Sequence, residues 1–378
     1  MAYIALFLII YFAGYLDVTK NTKKNRILVF LCCGAVLAMF AGLRYETGWD
    51  WQAYQEFLTD LSTEDSLYQT FGQFPEFEKG FIIFSYVVKS LGGGLQTIFL
   101  LMAMGTVALM LLSFKKYTPF FLVAILIYLY NGYPLNFGYI SQGISVAIFT
   151  YAIRSIESRE ALKYFCLFFI AFLFHTSAIL FVPFYFILNK SFKHSVVVIA
   201  IVVSFLFSYL DWMGVLLSLF DVFLGGNLAF AKLHEYYLRY TDVEEVRVGL
   251  STVFFERLFV FLYFSYNKQF FSNRIKYFNV FYNLMFGYFC MYLLFIDIAV
   301  LLERIGLYFD IANIFMYSFL LFKITKGYKR VFMYNLITLV IFLRLYRFFY
   351  QQHPLNDLLV LDLFYPYKNY LLHLMGLY

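Results

Sequence analysis

Polar positions in this chain are few and clustered, and long apolar stretches run between them. The apolar runs fall at about 2–17, 27–43, 95–114, 118–133, 137–153, 161–188, 195–210, 251–266, 277–300, 305–322 and 331–349, with a shorter one at 80–91. Runs of about 20 residues match helices that cross a hydrocarbon core. None alternates with the period of two that a membrane barrel needs, so each run is predicted as helix. No convincing internal repeat is visible.

Three polar intervals break the pattern. Arg44 to Glu78 carries eight carboxylates (Glu46, Asp50, Glu56, Asp60, Glu64, Asp65, Glu76 and Glu78), and Arg44 is its only cation. From Asp50 on, Trp51, Tyr54, Phe57, Leu58 and Leu61 fall on one side of a short amphipathic helix. This interval is predicted to cap one face of a helical bundle. The second, 211–250, holds His234, Arg239, Asp242, Glu244 and Glu245. The third, 351–378, is too polar to span and is predicted to lie along the surface.

Composition agrees with spanning helices. Of 378 residues, 63% are hydrophobic and 14% charged, and the mean hydropathy is +0.74. Soluble domains are about half apolar and about 25% charged. The expected fold is an all-α polytopic membrane bundle of about 10–12 segments, one transmembrane domain over 1–378. No basic stretch precedes the first run, so it is predicted to be an uncleaved span. Cys32, Cys33, Cys166 and Cys290 lie inside apolar runs without metal or redox spacing, and no disulfide is expected.

The net charge of +6 does not point to nucleic acid, but its distribution orients the chain. Lys and Arg mark cytoplasmic loops. Lys20, Lys23, Lys24 and Arg26 therefore place the N-terminus and the Arg44–Glu78 interval outside. The other clusters are Lys115/Lys116, Arg154/Arg159/Lys163, Lys190/Lys193, Lys268/Arg274/Lys276 and Lys323/Lys326/Lys329/Arg330. All fall inside if 80–91 dips in and returns at Gly92-Gly93-Gly94, and if 161–188, with His175 and Pro183, folds as a hairpin. Both termini and 211–250 are then extracytoplasmic. If instead both segments cross once, Lys115/Lys116 and Arg154/Arg159/Lys163 lie outside.

Candidate chemistry concentrates on the outer face. Arg44 ends the second span; an arginine there either snorkels or grips phosphate oxygens with its fork. Asp50 is either the N-cap of the amphipathic helix or a base. Trp49 and Trp51 are interfacial belt residues or sugar-stacking platforms. Glu76 and Glu78 precede the short run, where carboxylates favour a helix dipole; a partly buried Glu78 could serve as a base. His175, in Phe174-His-Thr-Ser177, is an intramembrane ionisable group, a ligand-site candidate or a histidine bonded across helices. Glu256-Arg257 and Glu303-Arg304 are buried pairs or anion contacts, with Asp310 beyond the second. Arg344 and Arg347 are read as interface anchors. The sequence shows no metal motif and no phosphate loop. Such a site suits lipid-linked sugars, which arrive from the membrane and carry a diphosphate leaving group.

Five patches carry a family resemblance: Gly42-Leu-Arg44-Tyr-Glu-Thr-Gly48-Trp-Asp50-Trp-Gln-Ala-Tyr54, Glu78-Lys-Gly80-Phe, Phe174-His175-Thr-Ser-Ala178, Arg304-Ile-Gly-Leu-Tyr308-Phe309 and Tyr365-Pro366-Tyr367. In these the chain resembles the EpsG family and Wzy-type polysaccharide polymerases. It departs at Gly138-Tyr-Ile-Ser141-Gln142-Gly143, where such proteins often carry Arg-Gln. The resemblance implies a glycosyltransferase-C-like fold in the bacterial cytoplasmic membrane. It implies a cofactor-free, metal-independent polymerase that joins undecaprenyl-diphosphate-linked repeat units on the outer face. Its partners would be those lipid-linked oligosaccharides, membrane lipid, a chain-length regulator and a flippase. Arg44 and Arg304 are the expected diphosphate contacts, with Arg257, Tyr54, Trp49 and Tyr308 as further substrate contacts. His175, Asp50 or Glu78 is the expected base. A flippase or a polysaccharide ligase is the alternative.

Overall fold

A computed structural model describes residues 2–19, 23–210, 212, 250–296, 299–324, 327–350 and 363–376. The polar interval 211–250 lies outside these except at its edges, as do 351–362, Asp297 and Lys326. The chain divides into two compact units, Met1–Tyr185 with Ile314–Tyr378, and Phe186–Asn313.

The first unit opens with an antiparallel pair, α1 (Ala2–Val18) and α2 (Lys23–Gly42). Past the polar interval come α6 (Leu95–Tyr117), α7 (Phe121–Asn131), α8 (Ile140–Glu157) and α9 (Ala161–Phe174). The helix Tyr328–Tyr350 packs against α1 and α7. Leu122 to Ile127 of α7 are fully enclosed, so α7 is the central element.

One end of this unit is basic. Asp17, at the foot of α1, accepts from Arg26 and from the amides of Leu122 and Val123. It thereby satisfies donors that the first turn of α7 cannot pair internally. Arg26 reaches the Pro119 carbonyl, the Arg154 amide donates to the Tyr117 hydroxyl, and Arg330 stacks over Phe120. Lys115, Lys116 and Arg159 belong to the same end by their positions in these helices.

The opposite end is capped by the predicted interval, in which α3 (Trp51–Asp60) and α4 (Leu67–Gln73) cover the bundle. Tyr54, Phe57, Leu58 and Leu61 are buried, as the spacing predicts. Ser66 and Gln69 form a reciprocal capping box on α4. Lys89 donates to the carbonyls of Leu58 and Leu61, closing the C-terminus of α3. The polar tail returns to this end. Its strand β2 (Lys368–Asn369) pairs antiparallel with β1 (Arg44–Tyr45), and Tyr367 stacks on Phe40 at 4.2 Å.

Two segments bear on the paths expected from the charge clusters. The helix α5 (Lys79–Ser90) has 12 residues, about 18 Å at an α-helical rise. It begins against Leu173 near the end of α9 and ends where Lys89 meets α3. Residues 161–185 fold back on themselves. α9 stops at His175, a 3-10 turn follows at Thr176–Phe181, and the Tyr185 carbonyl accepts from Arg159.

The second unit contains the helices His194–Phe207, Thr252–Tyr266, Lys268–Ser272 and Phe278–Leu294, and the first part of Ala299–Leu320. Lys268 donates to the Phe192 carbonyl and Asn283 to the carbonyls of Leu188 and Lys190. Two basic clusters, Lys190/Lys193 and Lys268/Arg274/Lys276, thus meet at one end of this unit. Glu303 and Arg304 lie inside the helix Ala299–Leu320 rather than ahead of it.

Among the described residues, three helical segments are long and apolar enough to cross a membrane: Asn25–Gly42, Leu95–Tyr117 and Tyr328–Phe349. Large apolar side chains stand exposed along them, among them Leu28, Leu31, Leu112, Phe332 and Leu343. A water-facing surface would not carry so continuous an apolar display. The molecule is an all-α membrane protein.

Candidate functional site

Arg44 follows α2 by two positions and is held there by its backbone. Gln96 of α6 donates to the carbonyls of Gly42 and Arg44, and β1 pairs with the tail. Gly42 permits the approach, since a Cβ there would lie 2.7 Å from the Leu100 Cα. The Arg44 side chain is 0% exposed, so it does not snorkel. None of its three guanidinium nitrogens has a hydrogen-bond partner. The group sits 4.0 Å from the centre of the Phe99 ring and 5.9 Å from that of Phe137. Burial pushes its pKa down to about 10, and Tyr54, Tyr3, Asp50 and Tyr367 oppose that shift. A buried, uncompensated ion costs several kcal/mol, and aromatic faces return only about 2 kcal/mol. An anion placed against the guanidinium would offset that cost.

Glu78 and His175 come together because α5 seats on the end of α9. Gly80 makes this possible: a Cβ there would stand 2.6 Å from the Leu173 carbonyl oxygen. Glu78 is the residue before α5 and makes no side-chain cap bond. His175 ends α9 in extended backbone. Its Nε2 lies 3.6 Å from Glu78 Oε1, with the two side chains 13% and 22% exposed. Its Nδ1 lies 2.6 Å from the Ser177 hydroxyl and accepts from the Ser177 amide. An amide can only donate, so Nδ1 is the acceptor and Nε2 carries the proton that faces Glu78. Ser177 was legible in the sequence only as part of a polar break.

Tyr54 lies within electrostatic range of both Arg44 and Glu78. It is buried, its hydroxyl donates to the Gly138 carbonyl, and Asp50, Arg44 and Glu78 all act on it electrostatically. Burial pushes the Tyr54 pKa up. Asp50 departs from the N-cap expectation: it is exposed, lies in the left-handed region (φ 56°) and makes no side-chain cap bond. The α3 backbone starts from that bend instead. Trp49 stacks on Tyr139 and meets Phe364 of the tail edge-on at 5.0 Å. The carboxylates Glu56, Asp60 and Glu64 are exposed, a solvated face.

In the second unit the fork of Arg257 engages a carboxylate from another helix. It binds Asp310 with two bonds, 2.7 and 3.2 Å, and lies 4.7 Å from the centre of the Tyr288 ring. Asn313 donates to the same carboxylate at 3.3 Å. Tyr308 is fully buried and Arg304 half-buried; the Glu303 side chain is outside the described residues. Arg344 overturns the reading as an interface anchor. It is buried and donates to the Tyr317 hydroxyl at 3.0 Å, whereas Arg347 is exposed. The signal was present: Tyr334, Ile337, Thr338, Ile341 and Arg344 are spaced as one buried helix face.

A sequence model of the EpsG family matches residues 27–369 of the chain. No curated protein matches it, and no solved structure matches it.

Proposed function

The chain belongs to the EpsG family, and on that premise we propose that it polymerises lipid-linked oligosaccharide repeat units into a surface polysaccharide. The donor is a growing chain on undecaprenyl diphosphate, and the acceptor is the sugar hydroxyl of a new unit. Work proceeds on the outer face of the bacterial cytoplasmic membrane, at the capped end, with both termini outside. In this reading α5 enters the outer leaflet and returns, in a glycosyltransferase-C-like architecture. A flippase supplies the units and a chain-length regulator acts on the product.

The observation that carries this reading is the fully buried Arg44, whose guanidinium has no hydrogen-bond partner. A transferring glycosyl group develops negative charge on the departing diphosphate. A preorganised guanidinium in a water-poor site stabilises that charge most where it develops. Glu78 takes the acceptor proton as the new bond forms from that oxygen to the anomeric carbon. The anomeric carbon–oxygen bond breaks, and its electron pair leaves with the diphosphate. The Nε2 proton of His175 orients Glu78 and then meets the acid it becomes. Asp50, at the rim, is a further candidate for contact with the acceptor. Arg304 is kept as an independent phosphate contact of the second unit.

The test is Arg44→Ala at native expression in a strain deleted for the gene. Single repeat units on the surface carrier, with membrane levels of the variant unchanged, support the reading. Polymer of normal length and amount would overturn it. Lipid-linked units trapped inside the cell would point to a flippase, and full-length polymer left on its lipid to a ligase.

A further inference from the structure

The basic end of the first unit holds a second arginine cavity that the proposed polymerisation does not use. It is lined by Asp17, Thr19, Arg26, Phe120, Phe322 and Arg330, together with Pro119. Two guanidinium groups from different elements face it. Arg26 is fixed by Asp17 and by the Pro119 carbonyl at 2.6 Å, and lies 4.7 Å from the centre of the Phe121 ring. Arg330 is fixed by the Ile324 carbonyl and lies 5.4 Å from the centre of the adjacent Phe120 ring.

The local charge does not cancel. The one carboxylate, Asp17, is turned inward: its side chain is 0% exposed and accepts the α7 amides as well as Arg26. Arg330 has no carboxylate partner among the described residues. Its bonds engage Nε and one Nη, and a guanidinium carries five N–H donors. Lys329, Lys115 and Lys116 stand exposed at the same end. The two helices that carry Asp17 and Arg330 also present apolar side chains outward, Phe12 at 65% exposed and Phe332 at 68%.

We propose that this cavity binds the phosphodiester of an anionic phospholipid, with Arg26 and Arg330 on the phosphate and the acyl chains along the exposed apolar surface of the same helices. Basic cavities between helices on the cytoplasmic side are suited to anionic headgroups. A guanidinium pair at fixed separation matches phosphate oxygens better than flexible lysines do. Free phosphate shares this chemistry but gains nothing from the apolar flank.

The experiment uses the full chain in nanodiscs of phosphatidylcholine, with or without phosphatidylglycerol, and in phosphatidylcholine discs with inorganic phosphate. Native mass spectrometry of retained lipid and the thermal midpoint are read together. Expected is enrichment of retained phosphatidylglycerol over phosphatidylcholine by about tenfold, with a raised midpoint. Arg330→Gln abolishes both effects, and Arg330→Lys keeps part of each. Arg330 is the variant of choice because Arg26→Gln would also uncover Asp17. Equal retention of the two lipids overturns the proposal, as does an unchanged preference in Arg330→Gln. A full midpoint shift with inorganic phosphate alone overturns the lipid assignment in favour of a free anion.

Discussion

The Nε2 of His175 faces Glu78 Oε1 at 3.6 Å, and the Ser177 amide fixes the tautomer that puts a proton between them. Glu78 is then the group able to accept a proton, and His175 supports it. Glu78→Gln should lower polymerisation by about 10²–10⁴-fold, the usual contribution of a general base. His175→Gln keeps a donor toward Glu78 and should lose less. Repeat-unit ladders from matched membrane preparations check this order. Equal activity of Glu78→Gln and wild type would remove Glu78 as the base.

Ser177→Ala makes a finer test. It deletes the hydroxyl at 2.6 Å but keeps the amide that donates to Nδ1. The tautomer should survive, and the rate should fall by about tenfold or less, since one neutral hydrogen bond contributes about 1 kcal/mol. A loss as large as that of Glu78→Gln would give Ser177 a direct part in the chemistry.

Arg44 separates a functional from a structural role by the sign of its stability effect. If the group served packing, its removal would destabilise. A buried cation with no hydrogen-bond partner should instead be replaceable by a hydrophobic residue at little cost or some gain. Arg44→Met is expected to keep or raise the thermal midpoint in detergent while polymerisation is lost. A lowered midpoint together with retained polymer would reverse the assignment.

Much of this arrangement was legible in the sequence, and the limits have physical causes. The amphipathic face of α3 follows from side-chain spacing alone, and a fold-back within 161–188 is the expectation drawn from Arg154, Arg159 and Lys163. Arg44, Glu78 and His175 stood out because ionisable groups are rare in apolar surroundings. The pairing of Glu78 with His175 did not, because it depends on α5 seating against α9, a contact between positions 80 and 173. The Asp50 cap failed because side-chain type favours a cap only when the backbone is extended, and Glu46, Gly48 and Asp50 all take positive φ here. Asp310 as a partner of Arg257 was likewise a long-range contact, 53 positions away.

That ion pair carries its own prediction. Its side chains are 5% and 22% exposed and it is bidentate. Asp310→Ala leaves Arg257 without its carboxylate and should destabilise by about 3–5 kcal/mol. The double change Arg257→Met with Asp310→Leu should recover most of that loss. Thermal unfolding of the three variants checks it. A double variant as unstable as Asp310→Ala would mean that the pair is not the source of the effect.

Gly80 tests whether the site depends on how α5 is seated rather than on its acids alone. The nearest atoms to a Cβ at this position are the Leu173 carbonyl oxygen at 2.6 Å and its carbon at 2.8 Å. Both are backbone, so no rotamer change relieves the contact, and α5 must shift on α9. Gly80 lies two positions from Glu78, and Leu173 two positions from His175, so the shift passes directly into the 3.6 Å pair. Gly80→Ala should therefore lower polymerisation by about 10²-fold, the sensitivity expected for a misplacement near 1 Å. The midpoint should fall modestly, since overpacking costs about 1–3 kcal/mol. Gly72, where a Cβ meets nothing within 4 Å, is the control on the same cap. Gly72→Ala should leave the polymer unchanged. Equal polymer from both variants would mean that the α5–α9 contact does not position the site.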